Sequence, residues 1–158
     1  MTNLKAATDA DFAALIAGEE PSGVTVADGG IETADVLRML QALAHSVRQR
    51  FDPAAWLIIE EGRAVGLISL LQPPVADGTV AVGYGIAPAC RNKGIGTRAV
   101  TKLAQWGHSD ARIGAITAET SVSNSPSQAV LSANGFTRTG ERHDWEDGAL
   151  YCWRLDCR

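Results

Sequence analysis

The run Arg91-Asn92-Lys93-Gly94-Ile95-Gly96 sets two glycines one residue apart behind two basic side chains, then continues into apolar residues at helical spacing. The chain has a formal net charge of -4, yet no acidic residue lies between Asp77 and Asp110. At the entry of a helix, such a loop offers an anion the unpaired N–H groups of the first turn and the positive end of the helix dipole. The glycines let a diphosphate approach the backbone without side chains in the way. Arg91 and Lys93 add attraction, with Arg98 one turn further on, and the Thr97 hydroxyl is a further donor. The loop is not a nucleoside-triphosphate loop, because the Gly-Lys-Ser/Thr sequence is missing. Nor is it a dinucleotide fingerprint, which needs a third glycine and an acidic residue about twenty positions on.

Such a loop binds only if a strand delivers it and a helix follows it, and the flanking pattern predicts both. Thr79 to Ile86 has the composition of a strand, and Ile95, Ala99, Val100, Leu103 and Ala104 share one helical face. Further upstream, Leu4 to Ala7 is predicted as a short strand. Thr8 and Asp11 start a helix carrying Phe12, Leu15 and Ile16. The stretch Glu19 to Gly30 reads as a loop. Thr33 caps a second helix bearing Val36, Leu37, Leu40, Leu43, Ala44 and Val47. Trp56 to Glu60 and Ala64 to Leu71 form a hairpin around Glu61-Gly62. Downstream, Ile113 to Val122 is a fifth strand, reached through a helix and therefore parallel to the fourth. A short helix spans about Ser127 to Ala133 and stops at Asn134-Gly135. Phe136 to Trp145 and Leu150 to Leu155 close the chain as a hairpin around Asp147-Gly148. The fold class is α+β: one domain over residues 1–158, with a mixed, mostly antiparallel central sheet of about seven strands flanked by helices.

Composition narrows the function classes. A pI near 5.3 is wrong for a general nucleic-acid binder. No apolar run reaches membrane-spanning length and the N-terminus lacks a signal-peptide pattern, so a cytoplasmic protein without membrane partners is expected. Cys90, Cys152 and Cys157 are odd in number and lack CxxC spacing, so neither a disulfide framework nor a metal site is expected.

The RxxGxG loop, the preceding Val82-Gly83-Tyr84-Gly85-Ile86-Ala87-Pro88, and the run Ala118 to Phe136 with Asn124, Ser127 and Gly135-Phe136 resemble, in order, three motifs of the GCN5-related N-acetyltransferases (GNAT). The likeness covers about Gly66 to Leu155 and is strongest to the subgroup that includes ribosomal-protein N-terminal acetyltransferases. It implies acetyl-CoA as co-substrate, no metal, and an acceptor that is an amine-bearing small molecule or a protein N-terminus. It also implies that strands four and five splay, so that pantetheine lies along the backbone of Gly85, Ile86 and Ala87. Arg91, Asn92, Lys93, Gly94, Ile95, Gly96 and Thr97 would then hold the pyrophosphate, and Asn124 the pantetheine or thiol region.

For catalysis, the resemblance points to Glu119 as the group that helps the amine lose its proton; a solvated strand residue or a structural ion pair is the other reading of that residue. His143, Asp144 and Glu146 are alternatives. Many members carry a tyrosine four residues before Gly-Phe as general acid; here Leu131 stands there. In the resembling subgroup a serine takes the role, and the matching residue is Ser127, which would otherwise cap the helix. Cys90 has no histidine near it in sequence, which argues against an acyl-enzyme nucleophile. The departure at Leu131 keeps a second reading open, an acyl-CoA-binding regulatory module without catalysis. The apolar C-terminal strand with Tyr151 and Trp153 is a candidate surface for pairing in a homodimer.

Overall fold

The computed structural model describes residues 1–158. Strand β1 (Thr2–Ala6) leads into helix α1 (Asp9–Ile16), whose Thr8 and Asp11 form a reciprocal capping box. The expected loop after it holds a 3-10 turn at Pro21–Gly23 and a two-residue strand, β2 (Thr25–Val26), that pairs with the start of β4. That short pairing raises the strand count to eight. It escapes a sequence reading because two residues carry no periodicity. Helix α2 (Ala34–Arg48) starts on Thr33, whose hydroxyl accepts the Val36 N–H.

Strands β3 (Ala55–Glu60), β4 (Arg63–Leu70) and β5 (Thr79–Ile86) follow, then helix α3 (Ile95–Ser109), strand β6 (Ala115–Ser121), helix α4 (Ser125–Ala133) and strands β7 (Thr137–Asp144) and β8 (Gly148–Asp156). The sheet order is β1-β3-β4-β5-β6-β8-β7, and apart from the short β2–β4 contact only the β5–β6 pair is parallel. The α3 crossover dictates that direction, as expected for a strand–helix–strand connection. Strand β8 is paired on both sides. It therefore has no free backbone edge through which Tyr151 and Trp153 could pair with a second copy.

Alternation sorts the sheet into two faces. Ile116 faces α3, where it crowds Gly107, so Thr117 and Glu119 lie on the other face with their register neighbour Ala81. On β4 and β5, Leu67, Ser69, Gly83 and Gly85 share the face covered by α2, while Ile68 and Tyr84 lie on the face covered by α3 and α4. One cluster of buried side chains, with Phe12, Leu57, Ile58, Ile68, Leu103 and Ile116 fully buried, joins both layers to the sheet.

Two glycines close the start of the parallel pair. The Gly114 N–H donates to the Gly78 carbonyl at 2.8 Å, and a methyl at Gly114 would press on the Asp77 carbonyl oxygen. Backbone cannot move aside as a flexible side chain can. Gly114→Ala is therefore expected to cost about 2 kcal/mol, read as a lower denaturant midpoint. Gly140→Ala, where a methyl meets nothing within 4 Å, should leave the midpoint unchanged.

Candidate active site

The ladder between β5 and β6 is short. Thr79, Val80 and Ala81 pair with Ala115, Ile116 and Thr117, and there it ends, although both strands run on. Val82 to Ile86 keeps regular antiparallel pairing with β4 alone. No register shift interrupts β5 from Tyr84 to Ile86. A bulge lies instead at Val65, between β3 and β4, and the Val65 carbonyl accepts the Ala87 N–H at 2.8 Å.

Just beyond β5, Pro88–Cys90 makes a 3-10 turn and the Arg91–Gly94 segment runs exposed into α3. Gly94 is the N-cap with φ 76, a left-handed conformation that glycine adopts without a Cβ penalty. No side chain caps this helix, so its first N–H groups stay available. Ile95 is buried and anchors the helix start, and Gly96 packs near Val130 and Ile86. The basic side chains divide. Lys93 is exposed, and Arg91 Nε donates to the Ile86 carbonyl at 3.2 Å. Arg98 is committed elsewhere: its guanidinium reaches Thr2 Oγ1 (2.9 Å), the Lys93 carbonyl (3.2 Å) and Glu60 (3.4 Å). Its contribution is to tie the loop to the β1–β3 end of the sheet.

Helix α4 begins two residues earlier than the sequence indicates. Asn124, not Ser127, is the cap: its Oδ1 accepts the Ser127 N–H at 3.2 Å. That frees the Ser127 hydroxyl, which sits 2.7 Å from Tyr84 Oη. Tyr84 was legible only as a residue between two strand glycines. Alternation turns its ring away from the α2 face that the glycines share, toward α4. Burial raises its phenol pKa, and the Ser127 hydrogen bond offsets this in part, so the phenol keeps its proton at neutral pH. Leu131 is buried in the core and places no phenol on that turn. Asn134 joins the two helices. Its Nδ2 donates to the Thr97 carbonyl at 3.1 Å and its Oδ1 accepts from Thr101 at 2.6 Å.

On the opposite face, Glu119 forms a two-point ion pair with Arg142, with Nη2 to Oε1 at 2.8 Å and Nε on Oε2. The Arg142 hydrogen bonds hold the Glu119 carboxyl below its usual range despite partial desolvation. Cys152, its register partner on β8, approaches the same carboxylate. Asp144 Oδ2 accepts the N–H groups of Glu146 and Asp147 and so builds the β7–β8 turn, while His143 and Glu146 are exposed. Cys90 is buried in the core. No group of His, Cys, Asp and Glu is arranged to hold a metal, and no helix is long and apolar enough to cross a membrane.

Comparison with known proteins bears on the fold and the family. No curated protein matches the sequence. Among solved structures, RimL, a ribosomal L7/L12 alpha-N-protein acetyltransferase in complex with coenzyme A, superposes with a TM-score of 0.74 at 17% identity, over 98% of this chain and 93% of that one. A Salmonella typhimurium acetyltransferase that modifies the N-terminal serine of L7/L12 gives 0.73 at 17% identity, over 98% and 94%. The aminoglycoside acetyltransferase AAC(6')-Ib in complex with coenzyme A gives 0.71 at 20% identity, over 99% and 95%. At these identities the likeness establishes the fold. The acetyltransferase (GNAT) domain family model matches residues 2–137, which includes the loop, the shortened ladder and the Tyr84–Ser127 pair, and the chain belongs to that family.

Proposed function

We propose that residues 1–158 form a single acyl-CoA N-acyltransferase domain, working in the cytoplasm, that transfers the acetyl group of acetyl-CoA to a primary amine by direct attack in a ternary complex. The observation that carries this reading is the early end of the β5–β6 ladder beside an uncapped helix N-terminus. Pantetheine would lie along Gly85, Ile86 and Ala87, with the pyrophosphate on the turn from Arg91 to Thr97. The thioester would then sit at the opening between β5 and β6, where groups from both faces of the sheet converge. An acceptor amine attacks the carbonyl carbon, the C–S bond breaks, the nitrogen loses a proton and the thiolate gains one.

Ser127 gives its proton to the thiolate, and the half-buried Tyr84 phenol, 2.7 Å from the serine hydroxyl, can donate into the serine oxygen as the serine does so. Asn124 orients that serine through its backbone N–H. Glu119 is a weak base because Arg142 holds it ionised, and a general base works best with a pKa near the operating pH. With Asp144 also 3.8 Å from Arg142, two carboxylates face one guanidinium, and the negative charge left over steers the cationic amine toward the opening while the proton leaves through water. An α-amine, with a pKa near ~8, is already partly neutral at pH 7, so a strong base is not required.

Calorimetric titration tests the loop: Gly94→Glu should abolish acetyl-CoA binding while circular dichroism stays unchanged, and wild-type protein should bind neither ATP nor NAD. Loop binding of ATP in place of acetyl-CoA would refute the assignment. For the proton route, Ser127→Ala and Tyr84→Phe should each lower kcat about tenfold or more with acetyl-CoA affinity preserved. Full turnover in both variants would remove these residues from the mechanism. Glu119→Gln separates steering from base catalysis, since steering predicts a raised KM for the amine with kcat nearly retained.

The ion pair itself gives a pH signature. A depressed carboxylate pKa adds stability that is complete above the ordinary value of 4.5 and is lost as pH falls through the lower folded value. Wild type and Arg142→Ala should therefore differ in thermal midpoint at pH 7 and converge in the acid range below that value.

A further inference from the structure

The α2 face of the sheet carries a hollow of about 200 Å³ in front of β5. Its floor is Gly83 and Gly85; a methyl at Gly85 would meet nothing within 4 Å, and at Gly83 only the tip of Leu71. Val36 and Leu40 of α2 and Leu67 of β4 make an apolar wall. Ser69 breaks that wall. It is 2% exposed, lines the hollow opposite Gly83, and its hydroxyl has no hydrogen-bond partner. A buried hydroxyl without a partner is an uncompensated desolvation that a ligand's polar group relieves. Glu32 is the one charged residue among those lining the space.

These features restrict what can fill the hollow. Its volume lies below the range of pockets for drug-sized ligands, so the occupant is compact. The apolar wall calls for a short aliphatic body, and Ser69 calls for one neutral hydrogen-bonding group. The lone carboxylate accepts a single ammonium and repels a second anionic group, which disfavours a free amino acid. A neighbouring hollow lined by Glu19 and Glu20 as well as Glu32 is where a polycation would be drawn instead.

Resting on the acetyl-transfer reading above, we infer that the acceptor's amine-bearing end is a monocationic aliphatic amine with one neutral polar group, bound in the hollow over Gly83 and Gly85 and selected by Ser69. A small amino amide and the first residue of a polypeptide share this chemistry.

The test measures thiol release from acetyl-CoA with leucinamide, isopentylamine, leucine, spermidine, ribostamycin and a hexapeptide beginning with leucine. Leucinamide should exceed leucine in kcat/KM by about tenfold or more, because the second anionic group is repelled. It should exceed isopentylamine by the same margin once each rate is referred to the concentration of unprotonated amine, because a site that offers a hydrogen bond discriminates against an analogue lacking the group. Ser69→Ala should lower leucinamide turnover about tenfold and leave isopentylamine unchanged. Gly83→Val, which fills the floor, should abolish leucinamide turnover with acetyl-CoA affinity intact by calorimetry. Faster reaction of the hexapeptide than of leucinamide assigns the chemistry to a polypeptide N-terminus, and the reverse assigns it to a free small molecule. Preferential use of spermidine or ribostamycin, or an unaltered amide preference in Ser69→Ala, overturns the inference and leaves the enzyme standing. Thiol release from no amine, with acetyl-CoA still bound, overturns the acetyl-transfer reading and this inference together.

Discussion

Strand β5 lies between two neighbours and changes partner along its length, pairing with β6 over Thr79 to Ala81 and with β4 over Val82 to Ile86. From Val82 onward its backbone pairs with β4 alone, while β6 continues without it. A gap inside a sheet carries unpaired backbone polar groups, which are costly wherever water is excluded. It is tolerable where something extended can take the place of the missing strand. The loop, the helix start and both sets of polar residues are arranged around that gap.

The gap matters for a geometrical reason. A complete sheet is a wall, and residues on its two faces cannot act on one atom. Here Tyr84 and Ser127 lie on the face of α3 and α4, while Glu119, the glycine floor and Ser69 lie on the face of α2. Only where β5 and β6 are not joined can a reacting centre be met from both sides. The division also separates charge by task. The neutral Tyr84–Ser127 hydroxyl pair lies on the side proposed to return a proton to the leaving thiolate. The carboxylates Glu119 and Glu32 are on the α2 side, the side on which the proposed acceptor binds.

The elements that position the site were legible in the sequence because each is specified locally. Thr8, Thr33 and Gly135 mark helix ends, and the strand–helix–strand order sets the parallel pair. The loop proposed for the pyrophosphate stood out because its glycines and basic residues are contiguous. Roles that depend on contacts between distant segments could not. Tyr84 and Ser127 are 43 positions apart, and only packing brings them together. Arg98 looks like a phosphate ligand until β1 and β3 claim it. The cap passes from Ser127 to Asn124 because the helix can begin at Ser125 with Pro126 in its first turn, where a missing N–H costs nothing. Ser69 gave no signal, since a serine among apolar strand residues acquires meaning only when its partner is found to be missing.

Asn134 ends α4 and also grips α3 through Thr97 and Thr101. The start of α3, behind the Arg91–Gly94 turn, and the helix bearing Ser127 are therefore tied directly to each other as well as through the sheet beneath them. The two together act as a gauge. On the reading proposed above, a cofactor whose pantetheine arm is the right length would present its sulfur at the serine, and an acyl carrier of another length, held at the same loop, would stop short of it or overshoot.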